Sequence, residues 1–215
     1  MRKIRVFFTK LGRAKYISHL DSNRCWMRSI KRSGLPVWYT EGFNPHMYLT
    51  FPLPLSLGYE SVYECVDMRL LEEIPDSEVV ARLNDSLPTD IRVFRCAEPV
   101  MDQKLIRWAD YDILLETEEP ARLNEELAAY LSQDEIKVWK KTKKAPKEID
   151  LKPHFKVLSQ TAGEEGVLLK LRCTTGIEVN INPSLLLDNF TSTAEIRNTA
   201  VRRIMVYNES MESFE

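Results

Sequence analysis

Two of the three histidines of this chain, His19 and His46, lie near its start, among basic residues. A histidine titrates near neutral pH, so either residue could move protons during cleavage of an RNA backbone through the 2′-hydroxyl group. The alternative is structural, with His19 making a capping or packing hydrogen bond and His46 a contact within a turn. A metal site would need a third ligand; Asp21 is available, but three residues are too few to argue a metal site. Both histidines therefore stand as candidate catalytic residues, and we expect no metal and no cofactor.

Basic residues recur at helical spacing after His19: Arg24, Arg28, Lys31 and Arg32. This spacing predicts one basic helix face, with Leu20, Met27 and Ile30 facing the core instead. Arg13 and Lys15 precede the helix and add to its charge. Such a stripe can bind the phosphates of a polyanion, because Lys and Arg release counterions when they neutralise it. The alternative is a solvated helix face.

Aromatic residues follow the basic helix in the segment 38–48: Trp38, Tyr39, Phe43 and Tyr48. Aromatic side chains beside cations can stack on the bases of a single-stranded nucleic acid. The alternative is a packed loop in which Gly42 and Asn44 set a turn and Phe43 fills the core. The predicted RNA-binding residues are Arg13, Lys15, Arg24, Arg28, Lys31, Arg32, Tyr39, Phe43 and Asn44.

Charge is segregated along the 215 residues although the net charge is only −2. Residues 1–48 contain ten basic and two acidic residues. Residues 49–136 contain seven basic and twenty acidic residues, and residues 137–215 contain thirteen basic and ten acidic residues. The basic start could meet a polyanion or the acidic middle of the same chain. Six lysines between positions 137 and 147 predict a hairpin tip that is either solubilising or a second nucleic-acid contact.

Missing motifs exclude a radical-SAM cluster in this chain and disfavour several classes of enzyme. The four cysteines form neither a CxxC pair nor the CxxxCxxC cluster motif of radical-SAM enzymes, so we expect free thiols and no bound iron or zinc. The nucleotide-binding, zinc-protease and serine-hydrolase motifs GxxxxGK[ST], GxGxxG, HExxH and GxSxG are also missing. No apolar run is long enough to cross a membrane and no signal-peptide core follows Met1. We therefore expect a cytoplasmic protein with no membrane contact.

The hydrophobic pattern predicts strand, helix, strand, strand, helix and strand, and then the same order again. The strands are expected at 2–10, 46–51, 60–71 and 90–96, then at 106–116, 135–142, about 150–158, 166–174 and 196–207. The helices are expected at 18–32, 76–87, 120–131 and 183–187. This pattern predicts an α+β fold of two ferredoxin-like βαββαβ units with antiparallel sheets, 1–100 and 101–215.

Short motifs in the first half resemble one known family. They are residues 15–21 (KYISHLD), Arg24, residues 34–36 (GLP), 42–45 (GFNP) and 54–58 (PLSLG), followed by Glu60 and Ser61. They resemble the radical-SAM-linked proteins, a domain of unknown function encoded beside radical-SAM proteins or fused behind them. Met47 departs from the proline or other small turn residue that the resemblance leads us to expect there. The resemblance implies a radical-SAM protein as partner and implies no reaction for this domain.

These observations lead to one expected function and two alternatives. We expect an accessory RNA-binding module that works with a radical-SAM enzyme and is not catalytic by itself. The first alternative is a metal-free endoribonuclease that uses His19 or His46. The second is a protein–protein adaptor without RNA contact. Salt-sensitive RNA binding separates the adaptor from the other two, and cleavage without metal separates the endoribonuclease.

Overall fold

A computed structural model describes residues 1–140, 145–177 and 179–215 of the chain. The chain divides into two compact units. The first comprises Met1–Leu105 with Ser213–Glu215, and the second comprises Ile106–Glu212.

The first unit is a four-stranded antiparallel sheet with two helices on one face. Its elements are β1 (Arg2–Lys10), α1 (His19–Ser33), β2 (Leu49–Thr50), β3 (Glu60–Leu70), α2 (Asp76–Ser86) and β4 (Ile91–Ala97). The strand order is β4-β1-β3-β2. Ile4, Val6 and Phe8 alternate along β1 and are buried under the helices together with Trp26 and Ile30 of α1. The residues between them on β1 therefore face the other side of the sheet.

Helix α1 begins and ends where its capping residues require. The hydroxyl group of Ser18 accepts a hydrogen bond from the backbone N–H of Asp21 at 3.1 Å and so caps the N-terminus. Gly34 ends the helix in the left-handed conformation, with φ of 67°. Ser22, Trp26, Ser29 and Ile30 form the buried face. The basic residues of the helix consequently lie on the remaining surface.

The second unit repeats the strand order of the first. Its elements are β5 (Trp108–Glu116), α3 (Pro120–Leu131), β6 (Lys137–Lys140), β7 (Lys147–Asp150), β8 (Phe155–Ala162), β9 (Gly166–Thr174), α4 (Pro183–Leu187) and β10 (Asn198–Tyr207). The main sheet has the order β10-β5-β9-β8 and is antiparallel, and β6 pairs with β7 separately. The turn before β9 needs glycine at position 166, because a Cβ there would lie 2.0 Å from the carbonyl oxygen of Leu115.

Each unit has an Arg–Asp pair at the same place in its sheet. Arg5 of β1 lies opposite Asp67 of β3, and Asp110 of β5 lies opposite Arg172 of β9. Both pairs are bidentate: Nε and Nη2 of each arginine donate to the two carboxylate oxygens, at 2.7 and 2.7 Å in the first unit and at 2.6 and 2.8 Å in the second. Each guanidinium also lies over an aromatic ring, that of Phe214 or Tyr207. In the first unit the arginine lies on the first of the two strands, whereas in the second unit the aspartate does. The two pairs therefore lie at equivalent positions with arginine and aspartate interchanged.

The structure confirms the predicted α+β class and the antiparallel pairing, with differences in particular segments. The strand expected at 46–51 is reduced to β2, and the segment expected at 150–158 is split between β7 and β8. Pro153 lies in the 3-10 turn Lys152–His154 between those strands, where a proline cannot donate to a ladder. Leu20 was expected to face the core and is exposed instead. Of the lysine-rich tip, Lys141, Lys143 and Lys144 lie outside the described residues.

Two further findings concern the lengths of the helices and the state of the thiols. No α-helix among the described residues is both long and apolar enough to cross a membrane. All four cysteines carry free thiols. Burial raises the pKa of the Cys96 thiol to about 12, and burial also raises the pKa of Cys173. Both of these thiols are therefore poor nucleophiles at neutral pH.

Candidate nucleic-acid interface

The segment after α1 forms a closed loop whose two ends are joined by hydrogen bonds. The backbone N–H of Thr40 donates to the carbonyl oxygen of His46 at 2.8 Å, and Tyr39 pairs with Met47 in an antiparallel bridge. The backbone N–H of His46 donates to Oγ1 of Thr40 at 3.1 Å, and that oxygen lies 2.9 Å from Nδ1 of the His46 ring. The tip of the loop, residues 41–45, is exposed throughout.

A groove of about 310 Å³ lies between this loop and α1. The helix contributes Met27, Arg28 and Lys31, and the loop contributes Tyr39, Pro45, His46 and Met47. The structure thus brings together four residues that the sequence singled out separately: two cations of the basic helix, one aromatic residue and one histidine. The groove is lined mainly by apolar side chains, with the charged groups of Arg28 and Lys31 on the helix side.

The four basic residues of α1 have different surroundings. Arg24 forms an ion pair with Asp21 at 3.0 Å. Arg32 donates through Nη2 to the backbone carbonyl of Ser86 at 2.6 Å and is held against the end of α2. Within the part of the chain that the structure describes, Arg28 and Lys31 form no ion pair or hydrogen bond. The groove therefore holds the two cations of this helix that are available for an added anion.

The two basic residues before α1 lie in the 3-10 turn Gly12–Tyr16. The Arg13 side chain is almost fully exposed, and its Nε lies 3.9 Å from a carboxylate oxygen of Asp90. The ammonium group of Lys15 lies over the ring of Tyr16, 5.2 Å from its centre. Neither residue lines the groove, so the structure places them as separate positive charges near the start of the helix.

Phe43 is fully exposed at the tip of the loop. The alternative in which it fills the core is therefore wrong. Asn44 is exposed beside it, and Tyr39 is partly exposed at the base of the loop. Trp38 and Tyr48 do not join them, because both rings contact Arg69. Tyr39 and Phe43 are the loop aromatics that a base could reach.

The two candidate catalytic histidines lie apart. His19 is the first residue of α1, and the centre of its ring lies 5.3 Å from that of Phe51, edge-on. Arg28 of the groove follows nine residues later, which is roughly 13 Å along a helix. Burial, and then the charge of Lys10, lower the pKa of His19. Nδ1 of His46 lies 2.9 Å from the hydroxyl oxygen of Thr40 and 3.3 Å from the carbonyl oxygen of Asn44, so the ring is held within its own loop. The histidines therefore do not form one acid–base pair.

A second cavity, also of about 310 Å³, lies on the sheet face away from the helices. Its charged lining residues are Lys3, Arg5, Asp67, Arg69 and Asp102. No motif in the sequence points to this cavity. The available signal was the alternation of charged residues in β1 and β3, which marks a polar sheet face opposite the core. No cluster of three His, Cys, Asp or Glu side chains suited to a metal ion occurs among the described residues.

Comparison with known proteins places the chain in a family. Residues 3–183 match the model of a family described as an uncharacterised protein conserved in bacteria, DUF2344. A search of curated proteins finds no match. The matched region includes the groove, most of the second unit and all of the first unit's sheet except Arg2. The chain therefore belongs to the DUF2344 family of uncharacterised bacterial proteins.

Proposed function

We propose that this chain is an accessory RNA-binding module that acts together with a radical-SAM enzyme and does no catalysis itself. The observation that carries the proposal is the groove between α1 and the loop 39–47. Arg28 and Lys31 stand there without an acidic partner among the described residues, and Tyr39 and Phe43 are exposed beside them.

The chemistry of the groove favours a single strand over a duplex. The two cations can neutralise successive phosphates, while exposed aromatic rings stack on unpaired bases, whose faces are hidden in a double helix. The loop is closed at its base by Thr40 and His46, so the Phe43 ring is presented on a defined support. Asn44 can add a hydrogen bond to a base edge. Arg13, Lys15, Arg24 and Arg32 lie outside the groove and would add only long-range attraction.

The proposal also includes a radical-SAM enzyme as the partner and a ferredoxin-like fold for each of the two units. The radical-SAM partner rests on the sequence resemblance, and the chain itself lacks the CxxxCxxC motif that would hold the cluster. We infer that both units are ferredoxin-like and act as separate domains, with a boundary near residue 100. This inference is supported by the same strand order in both units and by the equivalent positions of the Arg5–Asp67 and Asp110–Arg172 pairs.

Titration with a labelled single-stranded RNA at several salt concentrations tests the proposal. Each phosphate contact on a single strand contributes about 0.7 to the slope of log affinity against log salt. The double variant Arg28→Gln/Lys31→Gln should therefore bind more weakly, with a slope lower by roughly 1.4. The matched control is Arg24→Gln/Arg32→Gln, which removes the same charge from the same helix. If both variants lose the same slope, the groove is not the RNA site.

Replacing Phe43 tests the stacking contact separately. Phe43→Ala should weaken RNA binding by about 1–3 kcal/mol and leave the salt slope unchanged, because a ring releases no counterions. Thermal melts should be unaffected, since the exposed ring packs against no core. A loss of stability in Phe43→Ala, or unchanged RNA affinity, would contradict the stacking role.

One observation favours the endoribonuclease alternative: His46 lies in the groove beside two cations that can bind a phosphate. If the chain is an enzyme, incubation with RNA in the presence of a chelator should give products with 2′,3′-cyclic phosphate ends. His46→Ala should then abolish cleavage while RNA binding persists. Intact RNA after long incubation supports the non-catalytic module.

Another observation favours the adaptor alternative: three large apolar side chains, Tyr16, Leu20 and Leu57, are exposed near the start of α1. Gly58, next to Leu57, donates its backbone N–H to the carbonyl oxygen of Lys15 at 2.8 Å, so these segments adjoin. An adaptor would bind a protein through this patch and show no RNA affinity. Leu20→Ser/Leu57→Ser should then remove protein binding, whereas the RNA-binding module keeps its RNA affinity in this variant.

A further inference from the structure

The second cavity of the first unit has a lining that is unusual for a sheet surface. It lies over β1, β2 and β3, on the face away from the helices, and the segment 99–103 forms one wall. Lys3, Arg5 and Arg69 contribute positive charge, and Tyr48 and Thr50 contribute hydroxyl groups. All of its residues belong to the first unit. Its volume of about 310 Å³ is at the small end of the range of ligand sites.

Two of the cations lie next to each other on neighbouring strands of the sheet. Lys3 of β1 lies directly opposite Arg69 of β3 in the strand register. Like charges in this position repel each other and destabilise a sheet unless an anion lies between or beside them. Within the described ranges neither Lys3 nor Arg69 forms an ion pair. The pairing therefore places two like charges next to each other at the cavity.

The two acids of the lining are already engaged. Asp67 accepts two hydrogen bonds from Arg5. The carboxylate of Asp102 accepts the backbone N–H of Lys104 at 2.8 Å. Neither acid forms an ion pair with Lys3 or Arg69 in the structure, so an added anion would not have to displace an acidic partner from either cation.

The Arg69 guanidinium is held in place by two aromatic rings. Its central carbon lies 4.9 Å from the centre of the Trp38 ring and 4.6 Å from that of Tyr48. Its Nε is buried and has no hydrogen-bond partner among the described residues, and the same is true of Nη1 of Arg5. A guanidinium group whose orientation is already fixed loses little conformational entropy when it binds an anion through two parallel hydrogen bonds.

We propose that this cavity binds the phosphate of a small phosphomonoester, such as a sugar phosphate or a nucleoside monophosphate. The two Nη groups of Arg69 would bind two phosphate oxygens, Lys3 would neutralise the second charge, and the hydroxyl groups of Tyr48 and Thr50 would donate to the remaining oxygen. A phosphomonoester presents three terminal oxygens and about two charges, which matches this donor set. An internal RNA phosphate has one charge and a sugar on both sides, so this site is distinct from the groove at α1.

Calorimetric titration of the full chain with ribose 5-phosphate, and with ribose as the neutral counterpart, tests the proposal. Ribose 5-phosphate should bind and ribose should not. Lys3→Gln should weaken binding roughly tenfold, since it removes a charged hydrogen-bond donor. Arg69→Lys keeps the charge and loses the two Nη groups, and should weaken binding to a similar degree. Lys156→Gln, an exposed lysine of the second unit, is the charge-matched control and should bind as the wild type does.

The exposed position of Lys3 means that Lys3→Gln should fold normally, and thermal melts of each variant check this. Two results would overturn the proposal. One is no binding of ribose 5-phosphate at about 10 mM, where even a weak site is filled. The other is unchanged affinity in both Lys3→Gln and Arg69→Lys. Arg28→Gln/Lys31→Gln should retain ribose 5-phosphate binding, so the phosphate site and the RNA groove can fail independently.

Discussion

Replacing Asp67 by alanine is expected to destabilise the first unit by about 3 kcal/mol, because it leaves a buried arginine without its carboxylate. Only 1% of the Arg5 side chain is exposed, and both of its bonds to Asp67 measure 2.7 Å. Burial alone would lower the pKa of Arg5, but hydrogen bonding to Asp67 and its charge outweigh burial, so the pKa is raised. A guanidinium stays protonated at ordinary pH even without a partner, so Arg5 cannot avoid the cost in Asp67→Ala by losing its proton.

The magnitude follows from burial. Removing one partner of a buried pair costs about 3–5 kcal/mol, and the lower end applies here because 22% of the Asp67 side chain is exposed and water can partly replace it. The equivalent change in the second unit, Asp110→Ala, leaves Arg172 with 22% of its side chain exposed. That arginine can reach solvent, so we expect a smaller loss, of about 1–2 kcal/mol.

Urea denaturation combined with hydrogen exchange of the β1 and β5 amides measures each unit separately. The variant Arg5→Met/Asp67→Leu, which removes both charges, should recover most of the stability lost in Asp67→Ala. The reasoning is refuted if Asp110→Ala costs as much as Asp67→Ala. It is also refuted if the charge-free double variant is as unstable as Asp67→Ala.

Three further predictions concern stability. Burial, and then the charge of Lys10, lower the pKa of His19 below 6.5. As the pH drops through about 6.5, the unfolded chain therefore binds the proton more readily than the folded chain, and the protein loses stability. His19→Gln should make this loss smaller in thermal melts between pH 7.5 and 5. Hydrogen bonds from the Ser192 and Thr193 hydroxyls lower the pKa of Glu126 from 4.5 to about 2. The ionised Glu126 side chain therefore contributes its full stabilisation above pH 4.5 and loses it as the pH falls towards 2. Glu126→Gln should remove this pH dependence of stability. Gly166→Ala should lower the free energy of unfolding by more than about 2 kcal/mol in urea denaturation, because its Cβ meets a backbone oxygen at 2.0 Å.

The elements that local chemistry determines could be predicted from the sequence. Helix α1 was predicted from the Ser18 cap and the Gly34 stop, and both residues act as expected. The prolines at positions 120 and 183 similarly predicted the starts of α3 and α4, where each lies in the first turn. The alternation of apolar residues predicted β1, β3 and β9 within one or two residues.

The features that depend on tertiary packing could not be predicted in the same way. Helical spacing placed Arg24, Arg28, Lys31 and Arg32 on one face, but it could not show that the end of α2 engages Arg32. The ion pair of Arg24 with Asp21, by contrast, is local to the helix. The exposure of Leu20, like the contact of Arg32, could not be predicted, because periodicity does not show which side of the first turn is covered. The cavity at Lys3 and Arg69 depends on the register between two strands that are distant in sequence.

Photo-crosslinking tests most directly whether the groove between α1 and the loop 39–47 binds RNA. The full chain would be irradiated with a single-stranded RNA that contains 4-thiouridine, digested, and the cross-linked peptides identified by mass spectrometry. We expect cross-links at Tyr39 and Phe43, with loss of the signal in Arg28→Gln/Lys31→Gln and its retention in Arg24→Gln/Arg32→Gln. Cross-links confined to the second unit, or the absence of any RNA adduct, would contradict the proposed function.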